Sequence, residues 1–292
     1  MTLAAAPQQC PVCDVDPVAT LTLSNGEPLL RCPRCLLGWW NWPAFSPPEF
    51  YDESYFQSVR EAKGYNDYRA LESGQRRTAR SRLSALAHAY AAAGARARPT
   101  RLLDVGCGTG VFVDQARRQG WGAVGIEVSG YAAAAARARG LNVTCESIEQ
   151  FSPPAEAYDC VTMWDVIEHL PDPVAALSKM ASALRPCGVL ALSTGDITAA
   201  CARFSGSRWH LFNLPEHLYF FSPKSLRGVL RQAGLTVVAV RRELNWFSAG
   251  YLLERLVKSI ARKPAGIPGW LNNAVLPVTL LDVISVYAQR RV

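Results

Sequence analysis

The chain of 292 residues is 49% hydrophobic and 19% charged, which excludes a disordered or fibrous protein and leaves room for one full α/β domain with an appended module. Its net charge of +7, from 31 basic and 24 acidic residues, is local: ten lysines and arginines stand between Arg60 and Arg101 against three acidic residues. Such a segment could face an acidic acceptor or nucleic acid, or form a solvated helix face.

The first residues lack the basic start and the long apolar core of a secretory signal. The late apolar stretch 274–288 is interrupted by Pro277 and Asp282 and falls short of the ~20 residues of a bilayer crossing, so a cytoplasmic protein without a transmembrane segment is expected. Cys10-Pro-Val-Cys13 and Cys32-Pro-Arg-Cys35 form two CxxC knuckles. Two-residue spacing lets both thiolates of a knuckle reach one ion, four thiolates suit a tetrahedral structural Zn²⁺, and about 40 residues are too few to fold on their own core. Residues 1–45 therefore read as a zinc ribbon with Cys10, Cys13, Cys32 and Cys35 as ligands. The other five cysteines lie in or beside apolar segments, as small hydrophobes do.

An aromatic, proline-rich stretch from Trp39 to Pro48 leads into helical patterning over 65–93, which Pro99 follows. Strands and helices then alternate: strand 101–106, helix 111–119, strand 122–127, helix 130–139, strands 141–145 and 158–164, helix 173–184, strand 188–193, helix 223–233, strand 235–242 and a last strand over 282–289. This alternation implies a mostly parallel sheet covered by helices. Residues 244–281 interrupt it with an apolar, aromatic insertion broken by Pro264, Pro268 and Pro277. Short amphipathic helices forming an acceptor lid are the first reading. Peripheral contact with a membrane surface, through Trp246, Phe247, Trp270, Lys258, Arg262 and Lys263, is the second.

The strand at 101–106 runs into Asp104-Val-Gly106-Cys-Gly108-Thr-Gly110, where backbone can approach a ligand that any Cβ would hold off, and a helix starts beyond. Glu127 ends the next strand, where an acidic residue in doubly wound folds accepts hydrogen bonds from a ribose. The spacing is G-x-G-x-G rather than G-x-G-x-x-G, so no pyrophosphate is implied. This stretch resembles the first motif of the class I S-adenosylmethionine-dependent methyltransferases, D/E-x-G-x-G-x-G, matched by Asp104, Gly106, Gly108 and Gly110. The resemblance implies a Rossmann-like sheet with an antiparallel last strand over 99–292, a helical connector and cofactor lid over 46–98, and S-adenosylmethionine as cofactor. It places Ser147 and Ile148 at the adenine, with Trp164 and Asp165 toward the methionine end; Tyr65 and Tyr68 could close over the sulfonium, since aromatic faces attract cations, or pack in the core.

Asp165-Val-Ile-Glu168-His169-Leu-Pro-Asp-Pro173 is close to the D-V-x-E-H-x-x-D-P signature of small-molecule methyltransferases. The N-P-P-Y/F type motif of nucleic-acid amino methyltransferases is missing there, and the second knuckle is CxxC where zinc-bearing ribosomal RNA methyltransferases have CxxxH. A small-molecule acceptor is thus expected over RNA. Glu216-His217-Leu-Tyr219-Phe220-Phe-Ser222 is similar to the E-H-x-x-Y-F-S segment of sugar C-methyltransferases of deoxysugar pathways, which continue into a second α/β lobe. Shorter zinc-ribbon methyltransferases of polysaccharide and secondary-metabolite pathways match nearly the whole chain. They imply a hydroxyl of a sugar, nucleotide-sugar or secondary metabolite as acceptor, with C-methylation of a deoxyketosugar as the alternative.

Deprotonation of the acceptor calls for a base with a pKa near 7, and His217 fits, with Glu216 orienting or charging its ring. Capping of the following helix is its structural alternative. His169 with Glu168 competes as base, forms with Asp165 a carboxylate–histidine metal site as proposed for some ubiquinone-pathway O-methyltransferases, or only fixes the turn after the fourth strand. A chain that binds cofactor and docks a partner without catalysis is the rival from another class. Oligomeric state is not legible in this sequence.

Overall fold

Strands β1 (Val18–Thr22) and β2 (Pro28–Arg31) pair antiparallel, and the two-residue strand β3 (Gly38–Trp39) pairs with β2. The computed structural model describes residues 6–42, 68–95, 98–242, 244–250, 253, 271, 274–279 and 281–290. Helix α1 (Tyr68–Ala92) follows the ribbon and buries Ala79, Leu83, Leu86 and Tyr90, spaced as one helical stripe. Leu83 and Leu86 are wholly covered, which favours the fold by about 1.5–3 kcal/mol each.

The βα alternation comes next: β4 (Arg101–Val105), α2 (Val111–Arg118), β5 (Gly122–Glu127), α3 (Gly130–Ala138), β6 (Val143–Cys145), β7 (Tyr158–Trp164), α4 (Pro173–Ala183) and β8 (Leu184–Gly195). Asp172 caps α4 through Ala175 N, with Pro173 in the first turn where a missing N–H costs nothing. Helix α5 (Ala200–Ser205), strand β9 (Tyr219–Phe220), helix α6 (Pro223–Gln232), and strands β10 (Leu235–Arg242), β11 (Asn245–Ser248), β12 (Val275–Val278) and β13 (Val283–Arg290) complete the described elements. The main sheet has the order β10-β13-β8-β7-β4-β5-β6. Its five central and β6-side strands run parallel, while β13 runs antiparallel to both β8 and β10. This is the Rossmann-like sheet with an antiparallel final strand that the resemblance implies.

One buried cluster joins α1, α2 and α3 to the sheet through Leu83, Leu86, Phe112, Val113 and Ala136. The other joins α4 and α6 to it through Leu177, Met180, Leu226 and Val229, and this cluster also contains Leu29, Leu37 and Trp39 of the ribbon. The ribbon therefore shares a core with the main domain.

Three features differ from the sequence reading. The strand expected at 188–193 starts at Leu184, where α4 ends, and Arg185–Gly188 bulges out between the pairs Tyr158↔Leu184 and Cys160↔Val189, with Cys187 at φ +64. Strand β9 was not expected; it pairs antiparallel with β3, Gly38 opposite Phe220 and Trp39 opposite Tyr219, making a four-stranded sheet with the ribbon. The insertion is closed at its base by the β11–β12 ladder, whose Trp246 N donates to Thr78 Oγ1 at 3.1 Å. Gly74 is what lets them meet, since a Cβ there would fall 2.0 Å from Trp246 O. Trp246 and Phe247 are half-buried in this contact, whereas Trp270, Lys258, Arg262, Lys263 and most of the expected lid helices lie outside the described residues, as do all of residues 46–67. No described helix is long and apolar enough to cross a membrane.

Candidate cofactor and acceptor site

The four knuckle cysteines converge, with all their sulfurs within 4.8 Å of one another. Cys32 Sγ accepts from Arg34 N and Cys35 N, both at 3.4 Å, which is how a CxxC turn stabilises a thiolate ligand. The hydrogen bond from Cys35 lowers the Cys10 thiol to about 5. Four clustered sulfurs with backbone N–H support fit a structural Zn²⁺.

At the carboxyl end of β4 the backbone turns through Gly106, Gly108 and Gly110 at φ +67, +54 and +82. These left-handed values favour glycine, and a Cβ on Gly106 would lie 2.6 Å from Val166 Cγ2. Glu127 sits at the end of β5 and braces the turn: its Oε2 accepts from Gly108 N at 2.7 Å and its Oε1 from Ser129 N at 2.8 Å. Burial pushes its pKa up, and these backbone bonds pull the other way. Asp104, also buried, is pushed up to about 7 by burial and accepts from Thr162 Oγ1 at 2.6 Å. Ile148 is buried beside Ser147, and Lys179 Nζ donates to Ile148 O at 2.9 Å and Glu149 O at 2.7 Å, fixing that turn from α4.

Beyond β7, the Trp164 ring meets Phe112 edge-on at 5.4 Å and carries the Arg82 guanidinium 4.4 Å over its face. Arg82 also reaches Ser193 Oγ at 3.3 Å and Asp165 at 3.7 Å. Ser193 Oγ in turn donates to Asp165 Oδ1 at 2.8 Å, and Asp165 is at φ +55. Among the described residues nothing accepts from the buried Trp164 Nε1. Tyr68 opens α1, and its side chain lies outside the described residues.

His169 and His217 come together with their rings 4.7 Å apart, edge to face. His169 Nδ1 donates to Glu216 O at 2.8 Å and His217 Nδ1 to Leu211 O at 2.9 Å. A carbonyl can only accept, so in each neutral ring Nε2 carries the lone pair. Burial lowers His169 to about 4 and holds His217 well below 6.5, so both rings are neutral at pH 7, and His217 is a weaker base than the expected value near 7 because water is removed from its charged form. The expected orienting of His217 by Glu216 takes another form: the Glu216 main-chain carbonyl braces His169, and Leu211 O holds His217 Nδ1. Glu168 is buried and pushed up to about 8 by that burial, and no described group bonds its Oε2. One ligand atom each from Glu168, His169 and His217 falls within 4.8 Å of the others, a donor set of carboxylate and two carbonyl-braced imidazoles that could hold a divalent cation.

The cap of α6 is Ser222, whose Oγ accepts from Ser225 N at 3.0 Å and donates to Cys35 O at 2.6 Å. Trp40 Nε1 donates to His217 O at 2.9 Å, across 177 positions of sequence. Trp42 stacks edge-on with Tyr219 at 5.2 Å, and Tyr219 OH donates to Pro171 O at 3.2 Å. Sequence reasoning missed Trp40, Arg82 as the cover of Trp164, Ser193 and Lys179. No local pattern marks a tryptophan whose hydrogen-bond partner stands 177 positions away.

A family model described as a methyltransferase domain matches residues 75–240. The ubiquinone biosynthesis O-methyltransferase of Xanthomonas axonopodis pv. citri (strain 306) is 34% identical over 148 residues, covering 46% of this chain and 62% of that protein. That of Xylella fastidiosa (strain 9a5c) is 31% identical over 170 residues, covering 53% of this chain and 69% of that protein. The chain thus spans under two thirds of the length of the first of these relatives. Among solved structures, a chain of the complex between the Haloferax volcanii Trm112 methyltransferase activator and a methyltransferase superposes with a TM-score of 0.50 at 16% identity, over 75% of this chain and 95% of that one. At that identity the likeness speaks to the fold alone.

Proposed function

The chain belongs to the methyltransferase-domain family, and from that premise we propose that it transfers the methyl group of S-adenosylmethionine to a hydroxyl of a small molecule of the sugar, nucleotide-sugar or secondary-metabolite class. The observations that carry this reading are the glycine turn braced by Glu127 after β4 and the two neutral imidazoles on the segments that follow β7 and β8 of the same sheet. When bound, S-adenosylmethionine supplies a methyl group on a sulfonium, whose departure leaves a neutral thioether. Glu127 would receive the ribose hydroxyls on its remaining lone pairs, and Gly106, Gly108 and Gly110 would admit the ligand to the backbone. Ser147 and Ile148 would border the adenine, and Asp104, Trp164, Asp165 and Tyr68 the methionine end, with the Trp164 Nε1–H as one donor to it.

The chain's own chemical task is to align the acceptor and take its proton, and alignment supplies the larger share of the rate. His217 accepts that proton at Nε2 while Leu211 O holds its Nδ1–H; Glu216 O fixes the neighbouring His169 ring, which packs edge-on against it. The names of the related O-methyltransferases support oxygen as the receiving atom. In a second reading, favoured by the unbonded Oε2 of Glu168, the trio Glu168, His169 and His217 holds a divalent cation against which the acceptor oxygen is oriented.

Trideuteromethyl S-adenosylmethionine, offered with separate pools of nucleotide-sugars and phenolic or polyketide metabolites, tests the reading by the position of the label. Label on a hydroxyl oxygen supports it, and label on carbon moves the chain to C-methylation. Tight cofactor binding with no transfer to any pool would favour a partner-docking module. His217→Ala is expected to keep cofactor affinity and to lower transfer about 10²–10⁴-fold. Metal analysis of the purified protein and its His217→Ala variant separates base from ligand, since only the ligand reading predicts a second metal lost on substitution.

A further inference from the structure

Arg76, Arg77 and Arg80 of α1 and Arg118 of α2 line one cavity of about 410 Å³, together with Ser73, Gln115 and Val275 of β12. Small-molecule sites span roughly 300–1,000 Å³, so this one is of ligand size. None of the seven lining residues is a carboxylate. Asp114 pairs with Arg76 at 2.8 Å and Arg118 at 3.0 Å, and Glu72 with Arg76 at 2.5 Å and Arg139 at 3.0 Å. Three guanidiniums thus share two carboxylates, and Arg77 and Arg80, both exposed, add further positive charge. Arg77 is seated with its Cζ 5.1 Å over the Trp246 ring, and Trp246 is itself tied to α1 through Thr78. Like charges one turn apart, as at Arg76 and Arg80, oppose the helix that carries them, and an anion in the cavity removes that repulsion.

We propose that this cavity binds the phosphate or diphosphate group of a small molecule. Guanidinium forks meet phosphate oxygens two at a time, which a lysine cannot do, and four of them here line one solvent-open hollow. Ser73 and Gln115 add neutral donors, and Val275 supplies an apolar wall for the rest of the molecule. The cavity shares no lining residue with the glycine turn, Glu127 or the histidine pair, so it is a site apart from the cofactor crevice. Both sit on α1: Arg82, two positions after Arg80, covers Trp164. The anion therefore comes from one of two sources, a phosphorylated acceptor that reaches from cavity to crevice or a separate phosphorylated effector.

The test is calorimetric titration of the full chain with inorganic pyrophosphate at about 0.15 M salt, where exposed charges are screened beyond about 8 Å. Saturable binding is expected, weakened about tenfold by Arg80→Gln and likewise by Arg118→Gln, as the loss of one charge-assisted bond requires. Arg137→Gln, an exposed arginine of α3 outside the cavity, removes the same charge and is expected to leave binding unchanged. No saturable binding at millimolar pyrophosphate, or equal weakening by Arg137→Gln, overturns the proposal. Because binding is read without turnover, this outcome is independent of the methyl-transfer reading. A raised KM for phosphorylated acceptors in Arg80→Gln assigns the anion to the acceptor, and pyrophosphate binding lost with acceptor KM unchanged assigns it to an effector.

Discussion

Replacing Trp40 by phenylalanine tests whether the ribbon holds the acceptor loop in place. The substitution removes the Nε1–H that donates to His217 O at 2.9 Å and leaves that carbonyl without this donor, at a cost of about 1–3 kcal/mol. The indole is only 3% exposed, so the smaller ring leaves a void worth about 1–2 kcal/mol more. The sum, about 2–5 kcal/mol, corresponds to a Tm lowered by about 4–20 °C in a domain of this size. Trp39→Phe is the matched control: its Nε1 donates to Pro7 O at 3.0 Å, its ring is equally buried, and that bond stays within the ribbon. Both variants should melt early, but only Trp40→Phe should slow methyl transfer, by about 10- to 100-fold, the scale of a displaced catalytic group. Cofactor affinity, measured by titration, should be near wild type in both. Equal transfer loss in the two variants, or normal transfer in Trp40→Phe, would refute the idea that this bond positions His217.

Cys32→Ser should abolish stoichiometric zinc, read by metal analysis. It should also lower the melting of the whole domain rather than only the first 45 residues, because ribbon and sheet share one buried cluster. Glu127→Gln places an amide N–H₂ against Gly108 N or Ser129 N and is expected to weaken S-adenosylmethionine binding about 10- to 100-fold, with melting lowered by about 1–3 kcal/mol. Asp104, raised from 3.8 to about 7 by burial, stabilises the cofactor-free fold fully below pH 3.8 and loses that contribution as pH rises through about 7. The loss amounts to up to about 4 kcal/mol, and Asp104→Asn should flatten the fall in denaturation free energy between pH 4 and 8. An unchanged pH profile in that variant would contradict the assignment.

What the amino-acid sequence by itself determined is what rests on local rules. Period and punctuation placed β4, β5 and β7 and the helices between them, because a strand buried on both faces reads as an apolar run and a helix as a repeating stripe. The glycines at 106, 108 and 110 were legible as a tight turn because their positive φ disfavours other residues, and Glu127 at the end of β5 because its distance along the chain is set by one βα unit. The CxxC knuckles were legible because ligand spacing is local. Tertiary structure decided the rest. A two-residue strand such as β3 or β9 has no sequence signature, so its partner is settled only when the shared core brings Trp39 opposite Tyr219. The state of His169 and His217 likewise depends on which carbonyls, Glu216 O and Leu211 O, the folded chain sets against Nδ1 and on how much water it removes. The arginines of α1 were visible as a charged segment, but whether they faced solvent or a common cavity was decided by α2 and by Val275, carried in from the far end of the insertion.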